Sequence, residues 1–306
     1  LTDEAARTDL EDARATLVKT PGFEAYSGPL QRLGGLTNRV YRAADHCLRI
    51  PGKGTEEYID RGNEKVAAQE AAKAGVSPEV MHFGADGVMV SRFVEGAETM
   101  SPDAFRTRAG SPARAGEAFR KLHESGAVFP FRFELFSMID GYLKVLSTKD
   151  VTLPDGYHDV VAEAGTVRAA LDARPLPLAP CHCDPLCENF LDTGERMWIV
   201  DWEYSGMNDP MWDLGDLSVE AGFDADQEEE MIRAWFGGEP TAAERGRIVI
   251  YKAMCDLLWT LWGLIQHANR NPAEDFWAYS VNRFERCKAL MGTPDFSRHV
   301  EAVAKG

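Results

Sequence analysis

Cys181-His182-Cys183-Asp184-Pro185-Leu186-Cys187-Glu188-Asn189, followed by Met197-Trp198-Ile199-Val200-Asp201, is the stretch that decides how this chain folds. Short apolar runs at 178–182, 189–192 and 197–201 read as strands, with Thr193-Gly194-Glu195 joining the last two as a hairpin loop. Asp184 then stands on a loop, five positions before Asn189, while Asp201 closes the third strand. Three polar side chains are thereby carried to one place on rigid elements. An isolated His182-x-Asp184 reads as a buried histidine beside a capping aspartate. Asn189 and Asp201 in register turn that reading into a functional one. Cys181, His182, Cys183 and Cys187 do not suggest zinc, because C-x-C spacing in a strand sends neighbouring side chains to opposite faces and no second ligand pair follows.

Outward from this stretch the two halves of the chain differ. Before Gly96, alternating runs at 24–33, 39–43 and 47–50, broken by Gly34-Gly35 and Ala44-Asp45, read as strands. A helix is expected over 60–74, stopped by Gly75, then strands at 79–83 and 88–93. Beyond Gly96 the segments 112–124, 134–147, 155–173, 241–269 and 273–290 carry helical apolar spacing. The expected fold is α+β and bilobal, protein-kinase-like: a small β-rich N-lobe over 1–96 and a larger, mainly helical C-lobe over 97–306.

Phosphoryl transfer to a hydroxyl requires a carboxylate at the hydroxyl proton, oxygen ligands for Mg²⁺ and a cation for the phosphates. Asp184 suits the first role, and Asn189 with Asp201 suits the second. Gly34-Gly35-Leu36-Thr37-Asn38 lies between two strands, suited to bringing backbone N–H groups near phosphates. Arg49 on the following strand and Glu64 on the next helix stand where kinases place their Lys–Glu pair. Alone, such a pair would be a surface salt bridge.

Leu33 to Asn38, Leu48-Arg49-Ile50-Pro51-Gly52, His182-x-Asp184 with Asn189, and Val200-Asp201-Trp202-Glu203-Tyr204-Ser205-Gly206 together resemble the choline/ethanolamine kinase family, within the aminoglycoside-phosphotransferase-like branch of the kinase fold. The likeness runs in order from about residue 31 to 286. It implies ATP and Mg²⁺ as cofactors, Asp184 as the base, Asn189 and Asp201 as Mg²⁺ ligands, and Glu203 assisting a second metal. It implies nucleotide contacts from Thr37, Asn38, Arg49 and Glu64, with Phe93 to Glu95 as the adenine-binding connector. Cys183 in place of the H-R-D arginine, Trp202-Glu203 after Asp201, and Arg49 in place of lysine argue against protein substrates.

Trp259 and Trp262 share one helix face. In isolation a tryptophan stripe would be core. The resemblance makes them, with Tyr279, an aromatic box for a quaternary ammonium, which has no N–H to donate and is best held by ring faces. Glu220 is the implied anionic wall. Asp213 and Asp216 are expected as helix-start and loop-orienting groups instead of substrate contacts.

The expected activity is phosphorylation of choline, with ethanolamine a second substrate. The alternatives are an aminoglycoside or other small-molecule phosphotransferase of the same fold, and a catalytically idle choline- or nucleotide-binding module. A net charge of −16 over 306 residues disfavours nucleic acid and anionic lipid as partners. The six cysteines fit reduced thiols. The acidic opening lacks a secretory-signal layout, so a cytoplasmic protein without membrane insertion is expected. Oligomeric state is not legible.

Overall fold

The computed structural model describes residues 3–35, 38–52, 55 and 59–306. Its first part is an antiparallel sheet of β1 (Leu30–Gly34), β2 (Arg39–Ala43), β3 (His46–Ile50), β4 (Val80–Phe83) and β5 (Met89–Arg92) in the order β1-β2-β3-β5-β4. Helix α1 (Asp3–Leu17), not anticipated from the sequence, packs Ala13 and Leu17 with Tyr41, Leu48 and Val90 of the sheet. Helix α2 (Arg61–Lys73) starts on the Asp60 cap, whose side chain accepts from the N–H groups of Gly62 and Asn63. Its Ala67, Ala68 and Ala71 join the larger hydrophobic core of the rest of the chain.

The expected strand over 24–33 is corrected to Leu30–Gly34. Gly28-Pro29 breaks the ladder, because proline cannot donate to it. The residues before it turn instead, with Tyr26 Oη donating to the Pro29 carbonyl at 2.7 Å and Arg14 donating to the Gly28 carbonyl at 2.8 Å.

The second part is helical: α3 (Pro102–Thr107), α4 (Ser111–His123), α5 (Leu135–Leu146), α6 (Tyr157–Ala173), α7 (Met211–Glu220), α8 (Ala225–Phe236), α9 (Ala242–Ala268), α10 (Phe276–Met291) and α11 (Pro294–Lys305). The single expected β island is corrected to two small sheets. β8 (Phe190–Asp192) and β9 (Met197–Ile199) form the anticipated hairpin with β6 (Glu98–Thr99), whereas β7 (Ala179–Cys181) pairs with β10 (Gly206–Asn208). The architecture is thus the α+β bilobal kinase-like fold.

Helix α9 spans 27 residues and opens with a reciprocal cap between Thr241 and Glu244. It is apolar and long enough to cross a membrane, yet 72% of its most apolar window is buried inside the protein, the signature of a core helix. Gly263 lets α10 approach it closely. A Cβ there would stand 2.3 Å from Ser280 Oγ and 2.8 Å from the Tyr279 ring. Gly263→Ala is therefore expected to cost about 1–3 kcal/mol, the usual penalty for overpacking, and to push Tyr279 aside. Urea denaturation reads the first effect, and a changed near-ultraviolet circular dichroism of the aromatic side chains reads the second.

Candidate active site

The floor of the site is the loop after β7, and Asp213 of α7 holds it from beneath. The Asp213 carboxylate accepts from the backbone N–H of His182 at 2.8 Å and of Cys183 at 2.9 Å, and pairs with His123 Nε2 at 2.9 Å. Trp235 Nε1 approaches His123 Nδ1 at 2.9 Å. An indole N–H can only donate, so Nδ1 is the acceptor and the ring proton lies on Nε2, toward Asp213. Loop orientation is thus the observed role of Asp213. Asp216 departs from its expected place at a helix start: it is buried in the middle of α7, 3.1 Å from Cys255 Sγ.

Above this floor lie the three polar residues read from the sequence. Asn189 Nδ2 donates to the Asp184 carbonyl at 3.1 Å, and the Val200 N–H donates to the Asn189 carbonyl at 2.9 Å. Asp201 follows with a left-handed backbone, φ 67°, which turns its carboxylate back to the cleft. Asp201 Oδ1 accepts from Arg49 Nη1 at 3.0 Å and from Asn38 Nδ2 at 3.5 Å. Arg49 also pairs with Glu64, so strand β3, helix α2 and the Asp201 turn are joined by one buried guanidinium.

Carboxylate oxygens of Glu64, Asp201 and Glu203 all lie within 4.8 Å of one another. This is a set of hard oxygen donors, the chemistry that fits Mg²⁺. Burial, and then the charge of Asp201, raises the Glu203 carboxyl. Burial first, followed by the charges of Glu220, Asp201 and Glu203, pushes Asp184 up to about 8.

Arg61 was missed in the sequence. It reaches Glu64 Oε2 at 2.6 Å and Glu203 Oε2 at 3.5 Å, adding a second guanidinium to the acidic cluster. Its position at the first turn of α2 gives no signal until α2 is docked.

Gly35 holds a backbone conformation that favours glycine. Its φ is 103°, and a Cβ would fall 1.9 Å from the Asn38 carbonyl oxygen. Thr37 lies outside the described residues. Phe93 lies under the Arg42 guanidinium, 4.1 Å from its ring centre, and Glu95 pairs with Arg42 at 2.6 Å on the surface.

The anticipated rings meet edge to face: Trp259 with Trp262 at 6.0 Å between centroids, and Trp262 with Tyr279 at 6.0 Å. Two further rings join them, Tyr204 at 6.5 Å from Trp259 and Phe276 at 5.4 Å from Trp262. Tyr204 follows Glu203 directly in the chain. Glu220, the expected anionic wall, is paired: its Oε1 accepts from Arg283 Nη2 at 2.7 Å, and Arg283 lies 4.9 Å from the centre of the Tyr279 ring.

A small antiparallel sheet whose Arg49 pairs with Glu64 of α2, set with a helical lobe that carries Asp184, Asn189 and Asp201, is the layout of a kinase-fold phosphotransferase. A profile of the choline/ethanolamine kinase family matches residues 31–234, and the chain belongs to that family. A solved choline/ethanolamine kinase family protein from Mesorhizobium loti is 73% identical, with a TM-score of 0.93 over 97% of this chain and 99% of that one. The choline kinase LicA of Streptococcus pneumoniae is 26% identical, with a TM-score of 0.74 over 95% of this chain and all of its own; a LicA structure in complex with AMP is also similar. A probable ethanolamine kinase of Arabidopsis thaliana is 26% identical over 83% of this chain and 77% of its own length. The protein is therefore a small-molecule kinase that uses a nucleotide and phosphorylates an alcohol.

Proposed function

We propose that the protein transfers the γ-phosphoryl group of ATP to the hydroxyl of choline, with ethanolamine as a second substrate. The observation that carries this reading is the cluster of Tyr204, Trp259, Trp262, Phe276 and Tyr279, whose rings meet edge to face in the larger lobe. Ring faces hold a trimethylammonium group that offers no hydrogen bond. An ammonium seated there is anchored by the rings, with its hydroxyl arm left to reach Asp184.

Asp184 orients that hydroxyl and takes its proton as the oxygen attacks the γ-phosphorus. The bond from phosphorus to the bridging oxygen breaks, and ADP leaves. Arg49 faces the phosphates, while Glu64 fixes its guanidinium. Asn38 and the Gly34-Gly35 turn cover the phosphates from the sheet side. Asn189 and Asp201 would hold Mg²⁺, with Glu203 beside them, and such an ion supplies charge neutralisation on the phosphate oxygens. Phe93 to Glu95 form the connector against which the adenine rests, and residues 1–96 and 97–306 act as the two lobes.

ADP release measured with choline, ethanolamine and kanamycin tests the reading. Stimulation by choline and more weakly by ethanolamine is expected, and stimulation by kanamycin alone would overturn it. Trp259→Ala and Trp262→Ala are each expected to raise the choline KM by about 2–30-fold, the range of one lost cation–π contact, with little change in kcat. An unchanged KM in both would make the rings mere core.

A further inference from the structure

The cation that occupies the wall of the aromatic box is one the chain supplies itself. Arg283, on α10, is buried. Its Nη2 binds Glu220 of α7 at 2.7 Å, its Nη1 binds Asp256 of α9 at 3.3 Å, and its guanidinium lies 4.9 Å from the centre of the Tyr279 ring. Asp256 has a second partner in Arg286, at 3.1 Å through Nε. Of the two carboxylates that Arg283 bridges, Glu220 is the one that, among the described residues, depends on it for neutralisation.

This changes what the box can recognise. A free glutamate would offer a primary ammonium what it needs, an anionic acceptor for its N–H groups, worth more than a neutral hydrogen bond. A trimethylammonium has no N–H and gains nothing directional from such an acceptor. With the Glu220 carboxylate already accepting from Arg283, the attraction left for an ammonium comes mainly from ring faces, which favour the diffuse, weakly hydrated cation. The guanidinium also places positive charge beside the ammonium seat, which costs the compact, concentrated charge most.

We propose that Arg283 is a specificity-determining residue: by neutralising Glu220 and covering Tyr279 it biases the box toward N-methylated over primary amino alcohols. The proposal rests on the choline/ethanolamine reading above.

The test compares wild type, Arg283→Gln and Arg283→Lys on ethanolamine, its mono- and dimethylated derivatives, and choline, with kcat and KM determined for each. In Arg283→Gln the choline-to-ethanolamine ratio of kcat/KM is expected to fall about tenfold, the worth of one charge-assisted hydrogen bond newly open to the primary ammonium, and the change sits in KM. The partly methylated substrates are expected to fall in between. Arg283→Lys keeps a charge on Glu220 and is expected to stay within about threefold of the wild-type ratio. An equal loss on all four substrates, in Arg283→Gln or in the lysine variant, would overturn the proposal and leave Arg283 as a helix tie. If Arg283→Gln does not fold, Arg283→Lys with Glu220→Gln decides: Glu220→Gln must lower ethanolamine kcat/KM no more than choline kcat/KM, since the carboxylate is already spent. Wild type inactive on all four substrates would overturn the proposed function itself, which is distinguishable from an active enzyme with an unmoved ratio.

Discussion

Asp184→Asn will lower kcat by about 10²–10⁴-fold, the size of a lost general base, with the KM for the alcohol changed far less. The same substitution will stabilise the fold. Burial and the charges of Glu220, Asp201 and Glu203 raise this carboxyl from its ordinary 3.8 to about 8. Between those values the folded chain keeps a proton that the unfolded chain releases, so stability falls as pH rises through that window and the whole penalty stands above it. Asparagine cannot ionise. The variant is therefore expected to melt above wild type at pH 9, with the difference shrinking toward pH 5, in calorimetry without nucleotide or metal. A variant with wild-type turnover would remove Asp184 from the mechanism, and a pH-independent Tm difference would contradict the assigned burial.

Asp213→Ala is expected to cost about 3–5 kcal/mol of stability, since it strips a buried carboxylate from the two backbone N–H groups and the histidine that it serves. Its effect on rate should exceed what unfolding explains. The loop bearing Asp184 loses its footing, and a displacement of roughly 1 Å at a reacting group costs about a hundredfold. Denaturant titration gives the first quantity. Turnover per folded molecule, at a temperature where the variant is still native, gives the second. Full activity per folded molecule would mean that the loop is held by other contacts.

The long helices were legible because their apolar faces repeat with helical spacing: α9 and α4 fall within a residue or two of the expected limits. Of helix α7 only a start near Asp213 was anticipated, because Met211 to Ser218 are all buried and a helix enclosed on every side has no polar stripe to set its period. Helix α8 did carry a signal, the reciprocal cap of Asp224 and Gln227, and α11 another, Thr293-Pro294 at its start. Of the candidate site, Asp184, Asn189, Asp201, Arg49 and Glu64 could be picked out by their order and spacing along the chain, and the structure joins Arg49 to both Glu64 and Asp201. What spacing could not supply was partnership. Glu220 meets Arg283 across 63 positions, and Arg61 meets Glu203 across 142, pairings that exist only once separate helices and strands are docked. A carboxylate assigned from its neighbours in sequence can thus have its charge already spoken for.

Trp235 sits on α8, a helix that carries none of the reacting groups, yet it is the first link in a line of hydrogen bonds that passes through His123 and Asp213 to the backbone at 182 and 183. A single indole hydrogen on that helix dictates which nitrogen of an imidazole presents its proton to the buttress beneath the loop. Trimming or regrafting α8, which surface mapping would treat as harmless remodelling, would reach the foundations of the reaction centre.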